Sequence, residues 1–85
     1  MIAEKLWSSG NYSAAVTEYD KVIQRDSKDS LGLQALFRSA VTLHLFLNRP
    51  LEAIKRFETF ISNSTDGDAI WNAQKEIGDI YYTVL

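Results

Sequence analysis

The sequence lacks cysteine altogether and is poor in residues that interrupt helices. Without cysteine, disulfide bonds and thiolate metal sites are excluded. Proline occurs once and glycine four times, a scarcity that favours helices. No apolar run approaches the roughly 20 residues that span a bilayer, so we expect no membrane insertion. The formal net charge is −2 and there is no basic patch, so we expect no nucleic-acid partner.

The remaining composition is typical of one small globular domain. Apolar residues make up 46% of the chain and charged residues 24%, values that argue against disorder. Because a chain of 85 residues buries only a modest part of its surface, we expect residues 1–85 to form a single domain with a thin core.

Apolar residues recur at helical spacing in two well-defined segments. Residues 12–26 place apolar side chains at i, i+3, i+4 and i+7, and Asn11 stands at a plausible N-cap. Residues 50–62 repeat this spacing and begin with Pro50, which a helix tolerates at its first position. Three further helical segments are predicted at 2–9, 30–47 and 68–84. The predicted fold class is therefore all-α, with about five helices. The two stripes are Tyr12, Ala15, Val16, Tyr19, Val22 and Ile23, and Ala53, Ile54, Phe57, Phe60 and Ile61.

The two segments are an internal repeat. When residues 10–23 are laid over residues 48–61, every core position keeps its character: Ala15 matches Ala53 and Tyr19 matches Phe57. The matched residues lie 38 positions apart, a length that accommodates one helix pair with its turns.

These segments resemble a known family. Ala15-Val16-Thr17-Glu18-Tyr19 and Ala53-Ile54-Lys55-Arg56-Phe57 look like the second helix of a tetratricopeptide repeat, and Ile77-Gly78-Asp79-Ile80-Tyr81 looks like the first helix of the next. The resemblance implies an α-solenoid of antiparallel helix pairs, a TPR-like superhelix. Repeat 1 would span about 1–29 and repeat 2 about 30–66, and 67–85 would be a capping helix or the first helix of a third repeat.

The chain departs from the family's pattern at several positions. The usual period is about 34 residues, and the extra length falls near 29–32. Ser27 and Thr65 stand where the family usually has proline after the second helix. Connections rich in Asp and Ser also resemble those of bacterial envelope repeat proteins, so the compartment stays open between cytoplasm and envelope. The middle first helix has Phe37, Ala40, Val41 and His44 where the family prefers Trp, Leu, Gly and Tyr.

Catalytic and metal-binding interpretations find little support in the sequence. His44 is the single histidine and falls on an apolar helical stripe, which indicates a packing role, and a metal site needs three or four converging ligands. Asp66 and Asp68 flank Gly67 just before a helix, where capping explains them better than acid–base chemistry. We therefore expect no enzymatic activity, no metal and no cofactor.

The resemblance implies that the first helices of the repeats line a concave, partner-binding face. The repeat shift arranges their side chains in an apolar row, a cationic row and a third, mixed row. These rows predict a protein or peptide partner with apolar anchors beside an acidic residue. Alternatively, Trp7 and Leu45 merely pack on each other. The rows are Trp7, Leu45 and Tyr82; Arg38 and Lys75; and Glu4, Thr42 and Asp79.

One family-specific ligand is not expected. Binding of chaperone tails through a carboxylate clamp needs asparagines beside the cations on consecutive first helices. Arg38 and Lys75 supply the cations, but Thr42 and Asp79 stand where the family's clamp would place asparagine.

The last helix supports a different hypothesis, in which the chain is a structural module that forms homo-oligomers. Gly78 would leave room for a close helix contact, and we expect an apolar face without cover within the chain. The residues expected on that face are Ile77, Ile80, Tyr81, Val84 and Leu85.

Overall fold

A computed structural model describes residues 2–84, and these form five α-helices and no strand. The all-α prediction with about five helices is confirmed. The helices are α1 (Ile2–Ser8), α2 (Tyr12–Arg25), α3 (Ser30–Leu45), α4 (Pro50–Asn63) and α5 (Gly67–Thr83).

The helix termini follow the local signals of the sequence. Pro50 is the first residue of α4, as predicted. Asp66 caps α5, since its side chain accepts hydrogen bonds from the backbone N–H groups of Asp68 and Ala69, at 3.1 and 3.3 Å. Asn11 occupies the predicted N-cap position of α2, but its side chain makes no capping hydrogen bond.

Two turns use left-handed backbone at corresponding positions. Gly10, between α1 and α2, has φ +87°, and Asn48, between α3 and α4, has φ +53°. Glycine and asparagine tolerate this region best. Sequence alignment of Gly10 with Asn48 therefore matches two residues of the same backbone conformation.

Extensive packing joins helices that are consecutive in the chain: α1 with α2, α2 with α3, α3 with α4 and α4 with α5. The resulting body measures 30 × 28 × 17 Å. Ala15 and Ala53, the matched alanines of the repeat, are completely buried. Because alanine has no side-chain atom beyond Cβ, it allows two helix backbones to approach closely.

The core follows the path of the chain in two clusters. A smaller cluster brings Ala3, Ala15, Tyr19 and Ala35 together from α1, α2 and α3. A larger one joins α3, α4 and α5 and also includes Val16. Its buried members are Val16, Leu36, Ala40, Leu43, Ala53, Ile54, Phe57, Phe60, Ala73 and Ile80.

The connection between α2 and α3 is tightly built. The Asp29 carboxylate accepts a hydrogen bond of 2.7 Å from the Gly32 N–H and so caps α3. Gly32 also lies against the end of α2, because a Cβ placed there would stand only 1.8 Å from the Asp26 carbonyl oxygen. The region predicted to hold the extra residues of the repeat thus contains an obligatory glycine.

None of the helices in residues 2–84 combines the length and the apolar character needed to cross a membrane.

Candidate functional site

Exposed large apolar side chains are distributed unequally between the helices. Ten such side chains occur in residues 2–84, and nine of them lie on α1, α3 or α5 or directly after these helices. The exception is Leu51, on α4. The odd-numbered helices therefore carry the apolar surface of the molecule. Their nine residues are Ile2, Trp7, Leu31, Leu45, Phe46, Trp71, Tyr81, Tyr82 and Val84.

Trp7 belongs to a cluster of three aromatic rings. Its ring meets Tyr12 and Phe46 edge to face, with centroids 5.8 and 5.7 Å apart, while Tyr12 and Phe46 stack at 4.1 Å. This cluster joins the α1–α2 turn to the C-terminal end of α3. Such geometries are favourable for aromatic pairs, so the Trp7 ring is held in place at the surface.

The other two members of the predicted apolar row are exposed. Leu45 is 61% exposed and Tyr82 is 92% exposed. The sequence predicts that Leu45, Phe46 and Leu47 extend the apolar surface of α3, but the predicted rows leave out Phe46, because the repeat alignment places Ser8 opposite it.

Both cations of the predicted second row have partners within the chain. Arg38 Nη1 lies 3.5 Å from Glu4 Oε1, in an ion pair whose two side chains are about half exposed. Lys75 Nζ lies 5.9 Å from the ring centroid of Trp71 on the same helix. Exposed ion pairs contribute little to stability, so Arg38 can exchange the Glu4 carboxylate for another acidic group at small cost.

The prediction for Thr42 was wrong. Thr42 is completely buried, and its hydroxyl donates a 2.7 Å hydrogen bond to the Arg38 carbonyl oxygen. It therefore has no surface for a partner, whereas Asp79, in the same predicted row, is exposed.

Thr42 is buried because α3 packs extensively on both α2 and α4, whereas α1 packs mainly on α2 and α5 mainly on α4. The repeat alignment also differs from the structure in its register, because two loops differ in length. Residues 9–11 separate α1 from α2, whereas residues 46–49 separate α3 from α4, one residue more. The completely buried Ala3 of α1 therefore corresponds to the completely buried Ala40, at a spacing of 37 and not 38 residues. The alignment of α1 with α3 at a spacing of 38 residues, which matches Trp7 with Leu45, is therefore displaced by one residue.

The predicted free face of α5 was only partly right. Ile80 is completely buried and Ile77 is half-buried, because together with Ala73 they pack on α4. Tyr81 and Val84 are exposed as expected, and Leu85 lies outside the described residues. The exposed side of α5 also includes Trp71 and Tyr82, and a Cβ at Gly78 would meet no atom within 4 Å.

A pocket of about 350 Å³ is lined by residues of α1, α2 and α3. We call it the Tyr19 pocket. Helical spacing predicts packing positions for three of its residues, Tyr19, Phe37 and Val41. Periodicity alone does not distinguish a core position from a pocket wall. Its lining residues are Trp7, Tyr19, Phe37, Arg38 and Val41.

The His44 ring is half-buried, and its Nδ1 has no hydrogen-bond partner within the described part of the chain. Between residues 2 and 84, no three side chains of the metal-ligating types stand close enough to hold an ion.

Comparison with protein-family models, with curated protein sequences and with solved structures finds no match to this chain.

Proposed function

We propose that this chain is a protein-interaction module of the tetratricopeptide type, an α-solenoid of antiparallel helix pairs that binds a partner segment along α1, α3 and α5. The observation that carries the proposal is the unequal distribution of exposed apolar side chains. In a solenoid of helix pairs, the first helices form one continuous surface and the second helices form the other. An apolar surface confined to one side is typical of a binding face.

Packing order supports the solenoid. Each helix packs mainly on its neighbours in sequence, as expected when repeats are stacked along one direction. The repeated pair of buried alanines, Ala15 and Ala53, and the matched left-handed turns at Gly10 and Asn48 indicate two similar helix–turn–helix units.

The chemistry of the surface suits a peptide or protein segment. Trp7, Trp71 and Tyr82 present aromatic groups, which are the side chains that most often dominate binding energy. Arg38 on α3 and Lys75 on α5 supply positive charge for an acidic group. The chain thus offers apolar anchoring sites beside cations.

The experiment compares two matched leucines. Leu45 on α3 and Leu51 on α4 are exposed to nearly the same extent, 61% and 63%. We expect Leu45→Ser to reduce the capture of partners from a lysate of the source organism, measured by quantitative mass spectrometry, whereas Leu51→Ser retains them. Tyr82→Ser should act like Leu45→Ser. Equal capture by all three variants and the unchanged chain, with folding verified by circular dichroism, would refute the proposal.

A second candidate function is self-association through α5. Trp71, Tyr81 and Tyr82 expose three aromatic rings on a single helix, beside the open position at Gly78. Lys75 and Asp79 have opposite charges and lie one turn apart, so two antiparallel copies of α5 centred on Ile77 would bring each lysine near the other copy's aspartate. Such an interface is self-complementary.

A further inference from the structure

The order of packing gives the molecule two different ends. Each helix packs mainly on its neighbours in the chain, so α1 and α2 lie at one end of the series and α5 lies at the other. In stacked helical repeats, the surface at each end is the surface that a further unit would cover. The apolar and charged groups at the two ends therefore indicate what each end can accept.

The α1–α2 end contains a groove that is lined by these two helices alone. Its volume is about 470 Å³, within the range of about 300–1,000 Å³ that is usual for ligand pockets. Ile2, in its wall, is 66% exposed, and Val22 is half-buried. The groove therefore has apolar surface and room for a large side chain of a second molecule. Its other lining residues are Ala3, Glu18, Lys21 and Arg25.

The charges left without partners at the α1–α2 end are positive. All three carboxylates of α1 and α2 have an ion-pair partner, two of them on other helices. Within residues 2–84, the charged residues of these two helices that lack such a partner are Lys5 and Arg25. Lys5 lies three residues after Ile2 and Arg25 three residues after Val22, a spacing that places both side chains on the same side of a helix. Each of these apolar residues therefore has a cation beside it.

The α5 end presents the opposite combination. It exposes the rings of Trp71 and Tyr82, and three of the four charged residues of α5 are acidic. Asp68 lies three residues before Trp71 and Asp79 three residues before Tyr82, so each ring has a carboxylate on its side of the helix. Neither carboxylate has an ion-pair partner in the described part of the chain. The fourth charge, Lys75, lies over the Trp71 ring.

The two ends complement each other in charge. Opposite charges across an interface favour the contact, and like charges oppose it. A symmetric pair of α5 helices would bring the acidic residues of both copies together, with Lys75 as the single cation of each helix. The α1–α2 end offers two cations instead. The α5 end therefore matches the α1–α2 end better than it matches itself.

The apolar area suits a weak and reversible contact. Because an aromatic side chain buries about 150–250 Å², the exposed parts of Trp71, Tyr81 and Tyr82 together amount to roughly 400 Å². A stable interface covers about 800 Å² on each partner. We therefore expect the contact to depend on protein concentration and on the charges beside the rings.

We propose that the α5 end of one molecule docks on the α1–α2 end of a second copy of this chain, in a head-to-tail contact. The rings of α5 lie against Ile2 and the groove. The carboxylates of Asp68 and Asp79 face the cations of the α1–α2 end. Because the two surfaces differ, a dimer still has one free end of each kind, and a third copy can add to it. This inference goes beyond the proposed function, which gives no role to Lys5 or Arg25.

The first test is sedimentation velocity of the full chain over a series of concentrations at low salt. We expect the weight-average mass to rise with concentration beyond the mass of a dimer, and to fall when added salt screens the exposed charges. A monomer at every concentration would overturn the proposal. A mass that stops at the dimer would also overturn it, because it indicates a symmetric contact.

Reversal of the charges gives the second test. One variant combines Lys5→Glu with Arg25→Glu, and the other combines Asp68→Lys with Asp79→Lys; all four residues are exposed. Each variant alone should associate at least about 10-fold more weakly, because like charges then meet. An equimolar mixture should assemble again, since every head-to-tail contact between the two variants joins opposite charges. A mixture that stays monomeric would contradict the role of these charges.

Controls separate a lost contact from a lost fold. Lys55→Glu, at an exposed position of α4, is the matched control and should leave assembly unchanged. Circular dichroism verifies that each variant is folded. If the variant with Asp68→Lys unfolds, Asp79→Lys alone replaces it, because Asp79 lies far from the start of α5, where acidic residues stabilise a helix.

The proposals fail separately. If the variant with Lys5→Glu and Arg25→Glu assembles as well as the unchanged chain, while Trp71→Ser is monomeric, α5 pairs with itself and the head-to-tail contact is wrong. The capture experiment with Leu45 and Leu51 uses residues outside this contact, so it decides the proposed function whatever mass is measured.

Discussion

Arg56 of α4 donates a hydrogen bond to the carboxylate of Asp20 in α2, although the two helices are not consecutive in the chain. The same Nη1 atom also donates to the hydroxyl of Ser39, a completely buried residue of α3, at 3.1 Å. One guanidinium thereby joins three helices. Its position across α3 ties the second helices of the two predicted repeats together.

We expect this link to stabilise the stack modestly. A double-mutant cycle with Asp20→Asn and Arg56→Gln should give a coupling of about 0.5–1 kcal/mol, because Asp20 is still 40% exposed and water screens the pair. Urea unfolding at low and high salt measures it, and the coupling should shrink with salt. A coupling near zero at low salt would show that the hydrogen bond contributes nothing.

Gly32 should be the least replaceable glycine of the chain. Gly32→Ala places a methyl group 1.8 Å from the Asp26 carbonyl oxygen, so α3 must move away from α2, and we expect a loss of about 3 kcal/mol or more. Gly78→Ala is the matched control. It lies within an exposed stretch of helix with open space around it, and alanine there should add about 0.5–1 kcal/mol. Equal effects of the two substitutions in urea unfolding would contradict the close contact at Gly32.

Ala53 tests the close helix crossing. Ala53→Leu inserts a side chain into a completely buried position and should cost about 1–3 kcal/mol. In a domain of this size the Tm falls by about 4–8 °C per kcal/mol. Ala14→Leu, at an exposed position of α2, controls for the change of residue type and should leave the Tm nearly unchanged. An unchanged Tm for Ala53→Leu would argue against the paired-helix register.

Self-association through α5 makes a separate prediction. If α5 pairs with a second copy, light scattering coupled to size exclusion gives the mass of a dimer, and Trp71→Ser shifts the equilibrium to monomer because it removes an exposed aromatic ring from the interface. Leu51→Ser, on α4, should leave the dimer intact. A concentration-independent monomer for the unchanged chain would eliminate this second candidate function.

Local signals in the sequence were sufficient to predict where the helices lie. Pro50 and Asp66 fixed the starts of α4 and α5, and helical spacing correctly placed Ala15, Tyr19 and Ala53 in the core. These features depend on residues within one or two turns of each other. Spacing and capping residues therefore contain the necessary information.

The candidate site was less accessible to sequence reasoning. Trp7, Leu45 and Tyr82 lie at the surface of α1, α3 and α5 as expected, whereas Thr42, also expected at the surface, is buried. Thr42 is buried because α3 packs on both α2 and α4, and the repeat alignment does not show which helix is covered on two sides. One additional residue in the loop between α3 and α4 also shifts α1 against α3 by one position, which an alignment of α2 with α4 does not show.

The sequence by itself determined the number of helices, their approximate bounds and core residues such as Ala15, Tyr19 and Ala53, because helix formation and amphipathic spacing are local properties. Only the tertiary structure decided that Phe46 stacks on Tyr12, that Arg38 meets Glu4, and that the Tyr19 hydroxyl is buried without a partner in residues 2–84. These relationships join residues from different helices. They depend on how far each helix is rotated and displaced against the next, which loop lengths and side-chain packing set together and no periodic pattern encodes.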